Sequence, residues 1–180
     1  IFTFFALNIM IFISILETSF LKKIVTPVYI VFFIFLILVP IIGIEVKGAK
    51  RWLDFYFFRL QPIELLKPFF ILVTAKILIF DKFKNSHTKY FLSFLLLLAV
   101  TILLIDQPDL GQTILLVISW GATVFISGVS LLFIFSFTSI FLIFISTLLF
   151  FLPDKFGYII NRLVSFVDPS KGDKFQSSSA

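Results

Sequence analysis

The chain reads as an all-α, polytopic transmembrane helical bundle. Apolar residues make up 60% of it and charged residues 14%, against about 45–50% and about 25% in soluble domains, and one small core cannot hide that excess. The apolar residues come in long blocks, and roughly 20 helical residues cross a bilayer. Short polar clusters, several holding Pro or Gly, separate the blocks. A soluble globular enzyme is therefore excluded. With no cysteine, and His87 as the single histidine, disulfides, thiolate chemistry and zinc sites are excluded as well.

Six spans follow in order, at residues 1–16, 24–44, 60–80, 91–105, 112–127 and 131–152. The first opens at Ile1 without an initiator Met and without a signal-peptide pattern, so the chain reads as an internal piece of a longer protein. A polar turn at 17–23 leads to the second span, which carries Pro27 and Pro40 near its ends, where proline harms a helix least. The polar segment 45–59 holds Trp52 and Tyr56, rings suited to the headgroup level, and is expected to lie along the interface. The third span opens on Gln61-Pro62-Ile63-Glu64, with proline in the first turn and an acid meeting the positive helix end. A basic loop at 81–90 precedes the fourth span, and Pro108 and Gly111 mark a break before the fifth. Gly128 turns the fifth into the sixth as a tight helical hairpin. Residues 153–180 form the longest polar stretch.

Lys and Arg do not decide the orientation, because both sets of loops are basic. The face carrying 45–59, 106–111 and 153–180 also holds most of the acids, among them Glu45, Asp54, Asp106, Asp109, Asp168 and Asp173. Cations, carboxylates and loops meet there, so a polar active site is expected on that face. No internal repeat supports an inverted-repeat transporter.

Four constellations stand out. Glu64 and Lys67, three apart on one helix, can pair near the membrane surface, either to neutralise two costly charges or to bind a ligand. Pro68 in the second turn frees the carbonyl of Glu64 and could bend the helix. Asp109 suits both an N-cap of the fifth helix and a substrate contact. Lys50 and Arg51 beside Trp52 make a local cationic spot fit for a lipid phosphate, a pyrophosphate or interfacial anchoring. The tail from Arg162 to Gln176 mixes Asp168 and Asp173 with three cations, which by composition alone is an exposed loop of alternating charge.

Taken together, Gly48-Ala49-Lys50-Arg51-Trp52, Gln61-Pro62-Ile63-Glu64-Leu65-Leu66-Lys67-Pro68, Gln107-Pro108-Asp109-Leu110-Gly111-Gln112-Thr113 and the stretch from Arg162 to Gln176 resemble, in order and spacing, the SEDS family. These are the shape, elongation, division and sporulation glycosyltransferases that polymerise lipid II into peptidoglycan glycan strands. The Leu-Lys-Pro ending, the Gln112-Thr113 pair and the compact Gly172-Asp173-Lys174-Phe175-Gln176 are more similar to the division branch, FtsW, than to the elongation branch, RodA. Ile63, Lys50 and Phe175 depart from the family's usual Ser, Arg and Tyr; the first two leave the charge pattern intact, while Phe175 loses a hydroxyl and any hydrogen bond it would make.

The resemblance implies a protein of about ten spans in the bacterial inner membrane, at the division septum. This chain would be its second to seventh spans, and 153–180 the start of a large extracytoplasmic catalytic loop. It implies Asp173 as the catalytic base, with Arg162, Lys50 and Arg51 meeting phosphates while Glu64, Lys67 and Asp109 shape the polar floor. The implied partners are lipid II, the nascent glycan strand, a class B penicillin-binding protein transpeptidase and other division proteins; no nucleic acid is implied. No cofactor follows from the residues, and a divalent cation, Mg or Mn, is the one candidate that pyrophosphate chemistry adds. Two other readings compete: a transporter or flippase of a lipid-linked precursor, suggested by the ionisable residues Glu64, Lys67, Asp106 and Asp109 at membrane depth, and a noncatalytic division scaffold.

Overall fold

A computed structural model of the chain describes residues 7, 8, 11, 15, 17–46, 49–56, 58–79, 86–107 and 109–151. In chain order the elements are α1 (Thr18–Ile42), β1 (Ile44–Val46), β2 (Ala49–Asp54), β3 (Arg59–Leu60), α2 (Pro62–Ile79), α3 (Ser86–Asp106), α4 (Leu110–Ile126) and α5 (Leu131–Phe151). Leu7, Asn8, Ile11 and Ile15 are helical within the first predicted span. The fold is mostly helical, and two compact units divide it at Leu97 and Leu98.

In the first unit, α1 and α2 pack together through stripes of buried residues. Val25, Tyr29, Leu36 and Val39 are buried on α1, and Ile63, Leu66, Phe70, Val73 and Leu78 on α2. Steps of three and four along α2, from Ile63 through Leu66, Phe70 and Thr74 to Leu78, keep one face of a 3.6-residue helix on its neighbour. Phe32 and Phe69 meet across the pair, their ring centroids 5.7 Å apart. Lys76 ties the opposite end, its Nζ donating to the Lys22 carbonyl at 3.1 Å and the Thr26 hydroxyl at 2.8 Å.

The second unit holds the α4–α5 hairpin. Thr113, Leu116, Trp120 and Val124 are buried at steps of three and four on α4, and the Trp120 ring lies 6.5 Å from that of Phe137 on α5. Gly128 turns the chain with φ 88°, left-handed backbone that a residue without Cβ adopts at no steric cost. Four hydroxyls of the hairpin are satisfied locally: Ser119, Thr123, Ser136 and Thr147 each donate to the carbonyl four residues back. Such bonds let a polar side chain face an apolar solvent without losing a partner.

Among the described residues, α1 and the stretch His87–Asp106 of α3 are long and apolar enough to cross a membrane. The outward faces are apolar too, with Ile30, Ile34, Ile41, Leu72, Ile102, Ile118 and Phe135 exposed. Faces of this kind are rare on soluble monomers.

Three segments differ from the expected layout. The polar stretch 17–23 is not a turn: α1 begins at Thr18, with the Phe20 and Leu21 amides donating to the Glu17 carbonyl at 3.0 and 3.1 Å. Half of the basic loop is helix as well, because α3 begins at Ser86 and carries His87 in its first turn. The apolar stretch of a span is shorter than its helix, so the apolar boundary and the helix end need not coincide. The third difference is segment 45–59. Expected as a polar loop, it carries a three-stranded antiparallel meander, β1–β2–β3, packed against α1 and α2.

Candidate functional site

The polar candidates of the first unit gather where α1 ends and α2 begins. Gly43 stops α1, its N–H donating to the Val39 carbonyl at 2.8 Å, and β1 starts on the next residue. A Cβ at Gly43 would collide with that carbonyl oxygen and press on the Trp52 carbonyl 3.2 Å away. Only glycine lets the strand leave the helix this closely.

β1 and β2 are joined with Ile44 opposite Trp52, Glu45 opposite Lys50 and Val46 opposite Ala49. Arg51 is the extra residue of a bulge in β2, between the first two pairs. Across this irregularity Lys50 and Trp52 keep neighbouring strand partners, Glu45 and Ile44. Lys50, Arg51 and Trp52 stay consecutive on β2. Lys50 is exposed opposite an acid, and Arg51 is half-buried at the bulge.

β2 and β3 pair Leu53 with Leu60 and Asp54 with Arg59, the latter also an ion pair of 3.5 Å. α2 then opens on Pro62, and the Glu64 amide donates to the Gln61 carbonyl at 3.1 Å. Glu64 Oε2 and Lys67 Nζ are 2.9 Å apart, the intrahelical pair their spacing allows. The helix continues through Pro68 to Ile79.

In the second unit the junction of α3 and α4 is polar and buried. Gln107, Asp109 and Thr113 are all shielded there. Asp109 is the N-cap of α4: its Oδ1 accepts from the Gln112 amide at the long distance of 3.5 Å. The Thr113 amide and hydroxyl both donate to the Asp109 carbonyl, at 3.1 and 2.9 Å, and the Asp109 amide donates to the Leu104 carbonyl at 3.0 Å. A carboxylate at the start of a helix faces unsatisfied amides and the positive end of the helix dipole, which compensate its burial.

Gln107 and Thr113 stand in the sequence only as parts of a motif. Both are buried on either side of Asp109, which adds them to the candidates at this junction. The signal in the sequence is the placement of polar side chains two before and four after an N-cap. The remaining candidates, Arg162, Asp168 and Asp173, lie outside the described residues. Among the described residues no three of His, Asp and Glu gather so as to hold a metal ion.

Apolar outward faces, two helices long and apolar enough to cross a membrane, and polar residues collected at helix ends are the marks of a helical membrane protein. The sequence model of the FtsW/RodA/SpoVE family, described as cell cycle protein, matches residues 1–179. Relatives described as probable peptidoglycan glycosyltransferase FtsW include one from Caulobacter vibrioides, 32% identical over 155 residues that cover 83% of this chain and 39% of the relative. Another from Haemophilus influenzae is 33% identical over 141 residues, 77% of this chain and 34% of the relative. Among solved structures, the rod shape determining protein RodA of Thermus thermophilus matches 74% of this chain and 46% of its own, with TM-score 0.63 and 29% identity. A chain of a peptidoglycan synthase complex that coordinates polymerization and crosslinking matches 91% of this chain and 48% of its own, with TM-score 0.73 and 27% identity. The chain belongs to the FtsW/RodA/SpoVE family, the SEDS proteins, and is FtsW-like within it. It spans between a third and two fifths of the length of the two curated relatives named.

Proposed function

We propose that the full-length protein is a peptidoglycan glycosyltransferase that polymerises lipid II during cell division. The observation that carries this reading is the family match along residues 1–179, with relatives described as enzymes of that activity. In this proposal six of about ten spans lie in the chain, and the end of α1, the β meander and the start of α2 face the extracytoplasmic side of the inner membrane at the septum.

The reaction joins two membrane-anchored sugars. A hydroxyl of one forms a new C–O bond at the anomeric carbon of the other, the bond to the lipid pyrophosphate breaks, and the pyrophosphate leaves with the electron pair. Asp173 takes the hydroxyl proton as general base. Arg162 and the cations of β2, Lys50 and Arg51, meet the negative charge that grows on the leaving group. Mg or Mn would add positive charge at the same point. Orienting the substrates falls to polar residues, of which Glu64, Lys67 and Asp109 are the candidates, and the substrates' lipid tails confine the encounter to the membrane surface. The partner is a class B penicillin-binding protein transpeptidase, which crosslinks the strands made here. Support for such a pairing comes from the similar peptidoglycan synthase complex, whose own proteins coordinate polymerization and crosslinking.

The test is polymer formation from lipid II by the purified full-length protein in detergent, where transport has no meaning. Wild type should make glycan strands and Asp173→Asn should make none while keeping its thermal unfolding midpoint. Wild-type-like polymer from Asp173→Asn would move the base elsewhere, and no polymer from wild type would favour a transporter or a scaffold.

A further inference from the structure

The first turns of α1 are held differently from the rest of that helix. Glu17 stands at the N-cap without capping: its side chain accepts no amide of the first turn, and its Oε2 takes the Ser19 hydroxyl at 2.8 Å instead. At the other end of this segment Pro27 lies inside the helix. Proline has no N–H, so the bond that residue 27 would give the Lys23 carbonyl cannot form, and its ring crowds that carbonyl. Packing adds little. Val25 is the one buried side chain of residues 18–26, whereas Tyr29, Leu36 and Val39 are buried beyond the proline. Segments with few buried apolar contacts and interrupted hydrogen bonding open at the lowest cost.

Lys76 meets this weakness at one point. Its ammonium donates to the Lys22 carbonyl at 3.1 Å and to the Thr26 hydroxyl at 2.8 Å. Residues 22 and 26 are one helical turn apart, the pair that the last regular bond before the proline gap joins. Both acceptors of Lys76 therefore lie on the N-terminal side of Pro27. A carbonyl oxygen has two lone pairs, so that of Lys22 takes the ammonium as well as a helical amide. Lys76 is itself well placed for the task, because it stands in the last turn of α2, where the helix dipole favours a cation. Beyond Pro27 the contact between the two helices is apolar, with Phe32 against Phe69 at 5.7 Å.

We propose that residues 18–26 are a hinged arm of α1, with Pro27 as the hinge and Lys76 as the latch that closes the arm on α2. Release of Lys76 frees the arm, while the helix beyond the hinge and the β meander at its far end stay packed. The device rests on the pairing of α1 with α2 and in no respect on the proposed activity.

The experiment is amide hydrogen exchange on the full-length protein in detergent micelles, read at residues 22–26 and, as the internal reference, at 34–38, whose helical acceptors lie beyond the hinge. Lys76→Met should speed exchange at 22–26 roughly tenfold, as loss of a charged donor does, and leave 34–38 unchanged. Thr26→Val, which removes one acceptor and keeps every charge, should repeat the effect at roughly threefold if the first variant does not fold. Pro27→Ala restores the missing amide, so on that background Lys76→Met should change exchange at 22–26 by less than about threefold. Wild-type exchange at 22–26 in both Lys76→Met and Thr26→Val overturns the latch. Equal acceleration at 22–26 and 34–38 overturns the separate arm, and an undiminished effect of Lys76→Met without Pro27 overturns the hinge.

Discussion

Lys67 Nζ lies 2.9 Å from Glu64 Oε2, one helical turn away on α2. The two ends of this pair are not equally placed: the Lys67 side chain is 17% exposed and that of Glu64 is 49% exposed. Glu64 also stands in the first turn of α2, where the helix dipole favours an acid. Removing the acid therefore takes the ion pair from the more buried cation, whereas removing the cation leaves an acid that water and the helix end still stabilise. Glu64→Gln should cost about 1–3 kcal/mol, Lys67→Met clearly less, and the double variant should recover part of the loss. A double-mutant cycle on thermal unfolding in detergent measures all three. Equal costs for the two single variants would contradict the asymmetry.

Asp109 combines a cap with a buried charge, and substitution can separate them. Asparagine accepts the same bond from the Gln112 amide, so Asp109→Asn should stay within about 0.5 kcal/mol of wild type, while Asp109→Ala should lose about 1 kcal/mol. If the carboxylate also lines the substrate floor, Asp109→Asn should still slow lipid II polymerisation roughly tenfold, equivalent to about 1.4 kcal/mol in the barrier. Unfolding midpoints and polymer yield on the same preparations decide it. Full activity in Asp109→Asn would leave the residue a cap and nothing more.

These two residues also show what the sequence could reveal. An acid three before a lysine and an aspartate just ahead of an apolar block are local signals, read within one or two turns, and the structure has both the pair and the cap. The β meander has no comparable signal. Its strands are three, six and two residues long, and the bulge at Arg51 breaks the alternation that would expose a strand. Its partners, such as Leu53 with Leu60 and Phe55 with Phe35, are set by tertiary packing. Charged residues among aromatics then read as an interfacial segment. The helix starts at Thr18 and Ser86 escape the sequence for a different reason: hydropathy marks where a helix enters lipid, not where its hydrogen bonding begins.

Gly43 joins the two kinds of structure. Its φ of −67° is open to any residue, so the demand for glycine comes from space alone: a Cβ meets the Val39 oxygen that accepts the Gly43 amide. Both groups are backbone, and neither can move without unwinding the last turn of α1 or lifting β2. Gly43→Ala should destabilise by about 1–3 kcal/mol, as overpacked sites do. Hydrogen exchange should locate the damage, with faster exchange of the amides of β1 and β2 and unchanged protection in α4. Wild-type exchange in the meander would show that the crossing has room for a methyl group.

The bulge in β2 makes a last distinction between two neighbouring cations. Lys50 is exposed and faces Glu45 across the ladder, while Arg51 is half-buried as the extra residue. An exposed strand lysine opposite an acid contributes little, so Lys50→Ala should change stability by no more than about 0.5 kcal/mol. Arg51→Ala removes a packed aliphatic stem as well as a charge and should cost about 1 kcal/mol or more. Arg51→Lys keeps the charge but loses the planar fork that grips a phosphate with two parallel bonds. If Arg51 is the residue that meets the pyrophosphate, Arg51→Lys should slow polymerisation while Lys50→Arg, at the exposed neighbour, should not. Rates measured over a range of lipid II concentrations, with unfolding midpoints alongside, separate lost binding from lost folding. Equal losses from the two exchanges would mean that both cations reach the same phosphate although only Lys50 has a partner on β1.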